Sequence, residues 1–182
     1  LQGHAISKGV NGQLTLTLGN GWRALTGFTF MEVFAVENIV KSRQVFAPRW
    51  SGTYSVAYAF KQAGITLDLT GKWTGPMRLP TLHNDFRPEF SPLYHLMNIQ
   101  ATKRWRQGIE TYLSIKNLFN FIPKNPILHP NDPFDRPGGM YWNNDGTPNP
   151  QTNPHGFTFD PSYNYAPMQS IKVMLGFRMT LM

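Results

Sequence analysis

Tyr141-Trp142-Asn143-Asn144 sets two aromatic rings beside two amides, a composition that can stack on a flat ligand and hydrogen-bond its edge. Sugars and planar molecules suit such a set. The same rings would also pin a loop onto the rim of the fold, and pinning is the role the sequence favours. His83 and Asp85 stand close together in a second polar stretch and join these four as candidate ligand-binding residues. His83, His129 and His155 each have an aspartate nearby, at Asp85, Asp132 and Asp160. No HxxxH, HExxH or facial-triad spacing links them, so no metal site is expected. Asp68 and Glu110 are the nearest approach to the paired carboxylates of a hydrolase, with nothing beyond residue type behind them. Nucleophile elbows, P-loops and dinucleotide fingerprints do not occur. No catalytic residue and no cofactor are therefore assigned, and no enzymatic activity is expected.

The bulk composition narrows the class. The 182 residues carry a net charge of +7, yet only 15% are charged, against roughly 25% in soluble domains. Aromatic residues reach 14%, which is unusual for a water-soluble globule. No dense Lys/Arg run or nucleic-acid motif accompanies the positive charge, so nucleic acid is not an expected partner. There is no cysteine, hence no disulfide and no thiolate metal site. No run approaches the roughly 18 apolar residues of a membrane-spanning helix. The chain begins at Leu1 without a signal-peptide pattern and with alternation under way by Ala5 to Val10; the expectation is a piece of a longer protein.

Elements of period two must position these residues. In 50–60, Trp50, Gly52, Tyr54, Val56, Tyr58 and Phe60 alternate with Ser51, Thr53, Ser55, Ala57 and Ala59. In 65–77, Ile65, Leu67, Leu69, Gly71, Trp73, Gly75 and Met77 alternate with Thr66, Asp68, Thr70, Lys72 and Thr74. Near the end, Ile171, Val173, Leu175, Phe177, Met179 and Leu181 alternate with Lys172, Met174, Gly176, Arg178 and Thr180. Weaker alternation marks 10–18, 22–37, 93–105 and 109–120. About seven strands and no helix are predicted. Several last about 11 to 15 residues, beyond the usual 5–6 and long enough to cross a bilayer when tilted. One apolar face and one polar face suit a lipid-facing wall around a polar interior. Polar-face candidates are Asp68, Lys72, Arg104, Glu110, Lys116, Lys172 and Arg178, and Arg104 is expected to pair with Glu110 across a tight turn. A soluble carbohydrate-binding β-sandwich and an outer-membrane barrel enzyme are the alternatives.

Connections alternate strictly between short and long. Gly19-Asn20-Gly21, Lys61-Gln62-Ala63-Gly64 and Arg106-Gln107-Gly108 are tight turns with hairpin chemistry. The links 38–49, 80–92 and 122–167 are long. This is the pattern of an antiparallel up-and-down transmembrane β-barrel, short turns on one side and long external loops on the other. Trp22, Phe60 and Trp105 sit beside the short turns, with Trp50, Tyr94, Phe119 and Phe121 near the long ones, as two interfacial girdles would. Residues 122–167 hold ten of the fifteen prolines and predict a stiff, extended external loop.

Ile115-Lys116-Asn117-Leu118-Phe119-Asn120, then a long loop and one last strand, resembles the C-terminal part of TonB-dependent outer-membrane receptors. Phe46-Ala47-Pro48-Arg49, Gly75-Pro76-Met77, Asn84-Asp85-Phe86-Arg87-Pro88 and Phe159-Asp160-Pro161-Ser162-Tyr163 are similar to segments of Bacteroidetes-type members. Gly176, Phe177, Met179 and Leu181 resemble the terminal signal read by the barrel-assembly machinery. The resemblance implies a barrel of about 22 strands with an N-terminal plug, residues 1–182 supplying about the last seven strands. It implies a place in the outer membrane of a Gram-negative bacterium. It also implies active uptake of a scarce ligand: a ferric siderophore, cobalamin, haem or a glycan. The partners it implies are outer-membrane lipid, the assembly machinery, the TonB complex acting through a plug outside this chain, and the small-molecule or glycan ligand.

Overall fold

A computed structural model describes residues 3–37 and 40–180. It forms two compact units: a sheet unit of Leu1–Arg78, Pro92–Ile122 and Gln169–Met182, and a loop unit of Leu79–Ser91 and Pro123–Met168.

The sheet unit holds eight antiparallel strands, β1 (Gly3–Thr17), β2 (Trp22–Glu37), β3 (Val40–Arg43), β4 (Trp50–Phe60), β5 (Ile65–Thr74), β6 (Tyr94–Arg104), β7 (Ile109–Lys116) and β8 (Lys172–Met179). Their order is β1-β2-β4-β5-β6-β7-β8, with β3 also on β2. There is no α-helix among the described residues, and β1 and β8 are the two ends of an open order. The fold is an all-β antiparallel meander.

The eighth strand departs from the seven expected, and β2 supplies the reason. β2 pairs with β4 only as far as Phe30, opposite Trp50. Its remaining backbone groups need partners, and the link folds back to set Val40 through Arg43 against Glu37 through Phe34. On the other side of β2, β1 runs to Gly3 opposite Glu37, slightly ahead of the alternation read from Ala5 to Val10. β5 stops at Thr74, short of the expected Met77, because Pro76 follows, which lacks a donor for the ladder. β7 stops at Lys116, short of Asn120, because Asn117 and Asn120 both adopt φ of 52°, a left-handed conformation that asparagine tolerates better than most residues.

Register converts alternation into two faces, since directly opposed residues point the same way. One ladder runs Thr17, Arg23, Ala57, Asp68, Gln100, Ser114 and Met174 across seven strands. One residue along, the next runs Leu16, Ala24, Val56, Leu69, Ile99, Ile115 and Val173. All seven predicted polar-face charges fall on the first side. Glu110 accepts from Arg104 Nε at 2.7 Å and from Arg178 Nη1 at 3.2 Å, which includes the expected cross-turn pair.

The apolar face is exposed. Leu175 is 81% accessible, Phe177 77% and Val173 63%, and Leu14, Leu16, Trp22, Phe28 and Leu113 are exposed with them. Charge returns to this face one rung beyond Val10, Phe30 and Trp50, where Lys8 opposes Glu32 and Arg49 approaches Glu32 at 3.9 Å. At the short-turn end it returns at Lys103, whose Nζ donates to the Ala63 carbonyl and lies 5.3 Å from the Trp105 ring centroid. Between these limits the face is a belt of mainly aliphatic and aromatic side chains, with Thr26 and Thr111 among them.

Two glycines in the sheet are places where a tyrosine lies flat across the neighbouring strand. A Cβ on Gly71 would stand 2.4 Å from the Tyr54 ring, and one on Gly176 would stand 2.4 Å from the Tyr112 ring. Gly176, expected in the assembly signal, thus makes room for Tyr112 on the polar face. The aromatic placement needs one correction. Phe119 does lie on the apolar side, 5.3 Å from His95. Tyr94 instead opposes Thr74 on the polar face, where Phe121 stacks on it at 4.8 Å, so neither ring belongs to the outer girdle.

Candidate functional site

The loop unit has no sheet to organise it, so buried charge does that work. Arg87 is 4% exposed. Its Nε donates to both oxygens of Asp85 at 3.0 and 3.1 Å, and Nη2 donates to Asp85 Oδ2 at 2.8 Å. Nη2 also reaches Asp160 Oδ2 at 3.0 Å, tying the 79–91 segment to the far part of the long loop. The guanidinium lies 4.2 Å from the Tyr163 ring centroid, and Tyr163 donates its hydroxyl to the Pro88 carbonyl at 2.7 Å. Burial pushes the Asp85 carboxyl up, but hydrogen bonds from Arg87 and the Leu82 N–H outweigh it and hold the pKa below the ordinary value. Asp160 behaves likewise, burial being overcome by bonds from Ser162 and Arg87.

A depressed folded-state pKa makes stability that is present above the unfolded value and is lost as pH falls through the folded one. Hydrogen-exchange protection of the loop unit, taken relative to the intrinsic amide rate at each pH, should therefore be high at neutral pH and fall as pH drops below the ordinary carboxylate range. Protection that held flat through that range would contradict this role for Asp85 and Asp160.

A second set of contacts builds a cleft. His129 is 8% exposed, holds φ at 50° and stacks on Tyr141 with ring centroids 3.6 Å apart. Its buried Nδ1 has no hydrogen-bond partner. Burial lowers its pKa, and Asp135 and Asp132 only partly oppose that, so the ring is neutral at pH 7. Asn153 is 1% exposed and closes a turn by accepting from the Phe157 N–H at 2.8 Å and donating to the Phe157 carbonyl at 2.9 Å. His129, Tyr141, Phe157, His155 and Phe86 border the resulting cleft of about 400 Å³.

The predicted ligand residues scatter around it. Tyr141 lines the cleft. Trp142 donates its indole N–H to Asp135 Oδ1 at 3.2 Å, the pinning role. Asn143 donates to Thr147 Oγ1 at 3.0 Å within a turn, while Asn144 is exposed. His83 is exposed on a turn closed by the Asp85 N–H to the Leu82 carbonyl at 3.2 Å. The Asp85 side chain is 1% exposed and holds the loop together with both oxygens engaged. His129 and His155 were legible only as histidines; Phe86 and Phe157 carried no sequence signal as cleft residues. No three His, Asp or Glu side chains gather as a metal site among the described residues.

On the polar face of the sheet, Asp68 and Glu110 border a groove of about 640 Å³ together with Arg23, Arg104 and Arg178. Both Glu110 oxygens serve the arginines, which makes the groove a charged lining. Phe177 and Met179 of the expected assembly signal lie exposed on the apolar face of β8; Leu181 lies outside the described residues. No family model matches the chain, and no curated protein or solved structure matches it either.

Proposed function

We propose that this chain forms the C-terminal strands of a transmembrane β-barrel in the outer membrane of a Gram-negative bacterium, within a TonB-dependent receptor for a scarce ligand. The observation that carries the membrane reading is the apolar belt across seven strands, exposed on the outer strands and half-exposed on the central ones, and bounded by charge at both ends. An exposed apolar surface this broad needs a partner. No second sheet covers it among the described residues, as the core of a sandwich would require. Trp50–Phe60 spans 11 residues, and at about 3.3 Å per residue and a tilt of about 40° such a strand rises roughly 25 Å, the height of a barrel's lipid-facing band.

The receptor class rests on the segments around Asn117, Pro48, Arg87 and Asp160 and on the order in which they occur. In this reading the barrel-assembly machinery inserts the chain, lipid covers the belt, and a plug encoded upstream couples uptake to the TonB complex. Residues of the polar face and of the loops bind and guide a ligand without chemical conversion.

Single cysteines along β4 in the membrane-embedded protein test it. Lipid should shield Tyr54→Cys, Val56→Cys and Tyr58→Cys from an aqueous thiol reagent, while Ser55→Cys and Ala59→Cys react. Uniform reactivity along the strand would remove the membrane assignment, and an upstream sequence without a plug domain would remove the receptor class.

A further inference from the structure

No Asp, Glu, Lys or Arg among the described residues lines the loop unit's cleft, although Asp132, Asp135 and Arg136 lie close by in the chain. Those charges are spent elsewhere. Arg136 Nε and its backbone N–H donate to Asp132 at 3.2 and 3.1 Å, and Asp135 accepts from Trp142 and from the Phe159 N–H. A cleft among charged residues that presents none of them disfavours an ionic ligand, because an ion would lose its hydration without gaining a counter-charge.

What the cleft presents is flat. His129 and Tyr141 stack face to face in its lining, and His155 and Phe157 stand 5.6 Å apart at 46°. Phe86 borders it while 66% exposed. Polar groups with capacity to spare are few. The Asn125 amide, the His155 imidazole, the Tyr141 hydroxyl and the buried Nδ1 of His129 have no hydrogen-bond partner among the described residues, whereas the Asn153 amide is consumed by Phe157. A sugar ring has more hydroxyls than these groups can satisfy, and each one buried without a partner weakens binding. An aromatic ring asks for stacking and one or two edge contacts, which is what the cleft offers. At about 400 Å³ it has room for two fused rings, since a cavity of roughly 150 Å³ already holds benzene.

We propose that this cleft is a binding site for an uncharged planar aromatic or heteroaromatic group, stacked against Tyr141 and hydrogen-bonded at its edge by His155 or Asn125. The proposal gives the receptor reading its ligand chemistry and rests on that reading for its biological sense; the cleft itself lies wholly within the loop unit.

Indole tests it, titrated against the detergent-solubilised full chain and read by saturation-transfer NMR. Saturable indole binding is expected, with indole-3-acetate weaker and glucose showing none. Phe86→Ala and His155→Ala, both at exposed positions, should each weaken indole about three- to tenfold, while Phe134→Ala, an exposed ring outside the cleft, should change nothing. Glucose or indole-3-acetate binding as tightly as indole, no indole binding, or Phe86 and His155 variants that bind like the parent would each overturn the assignment. The β4 cysteine pattern separates the two readings: shielding without indole binding sinks the cleft alone, and indole binding without shielding sinks the barrel alone.

Discussion

Arg87→Met opens the loop unit to protease while the β4–β5 and β5–β6 ladders stay paired. The substitution keeps an unbranched apolar stem against Tyr163 but leaves the carboxylates of Asp85 and Asp160 facing each other with no cation. Removing one partner of a buried ionic cluster costs about 3–5 kcal/mol, because the remaining charge cannot be rehydrated. That is comparable to the whole stability of a small unit, so cleavage within 123–168 should become fast. Arg87→Lys retains the charge but not the fork that engages both oxygens of Asp85, and should give intermediate protection. Limited proteolysis read by mass spectrometry separates the three proteins. If the methionine variant were cut no faster than the parent, Arg87 would not be the organiser of these loops.

The second large effect falls on the sheet. Leu69→Arg places a cation in the ladder between Val56 and Ile99, where the proposed belt is deepest. Arginine on the lipid face near the midplane costs about 2–4 kcal/mol, so the variant should fail to accumulate as folded barrel in the outer membrane. Thr70→Arg, one residue away, points to the face of Ser55 and Asn98 and should insert at near-parent levels. Heat-modifiable migration on a gel gives the folded fraction. Equal folding of both variants would mean that the two faces do not meet different solvents.

Much of the sheet was legible because its physics is local. Alternation assigns a residue's face without knowledge of any partner strand, and the tight turns bring neighbours into register, as Arg104 and Glu110 illustrate. β3 escaped because it depends on the overhang of β2, which no residue of 40–43 announces. Tyr94 and Phe121 were misplaced because being an aromatic residue near a strand end does not say on which side the ring lies. The loop unit was the least legible part. Its organising pair, Arg87 and Asp160, is distant in sequence, and its cleft turns on left-handed backbone at Asn125 and His129 that carries no period. The four-residue ring-and-amide segment drew attention, yet its members point to different partners and only Tyr141 reaches the cleft.

The asparagines that end β7 also bear on the order of folding. Most strand pairs here join near neighbours in the chain: Phe60 meets Ile65, and Arg104 meets Glu110. β7 and β8 do not, for Lys116 meets Lys172 across the whole long loop. Closing that loop is the largest single entropic step in the meander, and such contacts form late. Asn117 donates to the Gln169 carbonyl at 2.9 Å, and Asn120 accepts from the Ile171 N–H at 3.2 Å, just ahead of the first paired residue of β8. These two side chains are placed to catch the returning chain and fix where zippering starts. A slip of one residue would turn Leu175 and Phe177 to the polar side, so the caps that stop one strand also act as the starting mark for the last.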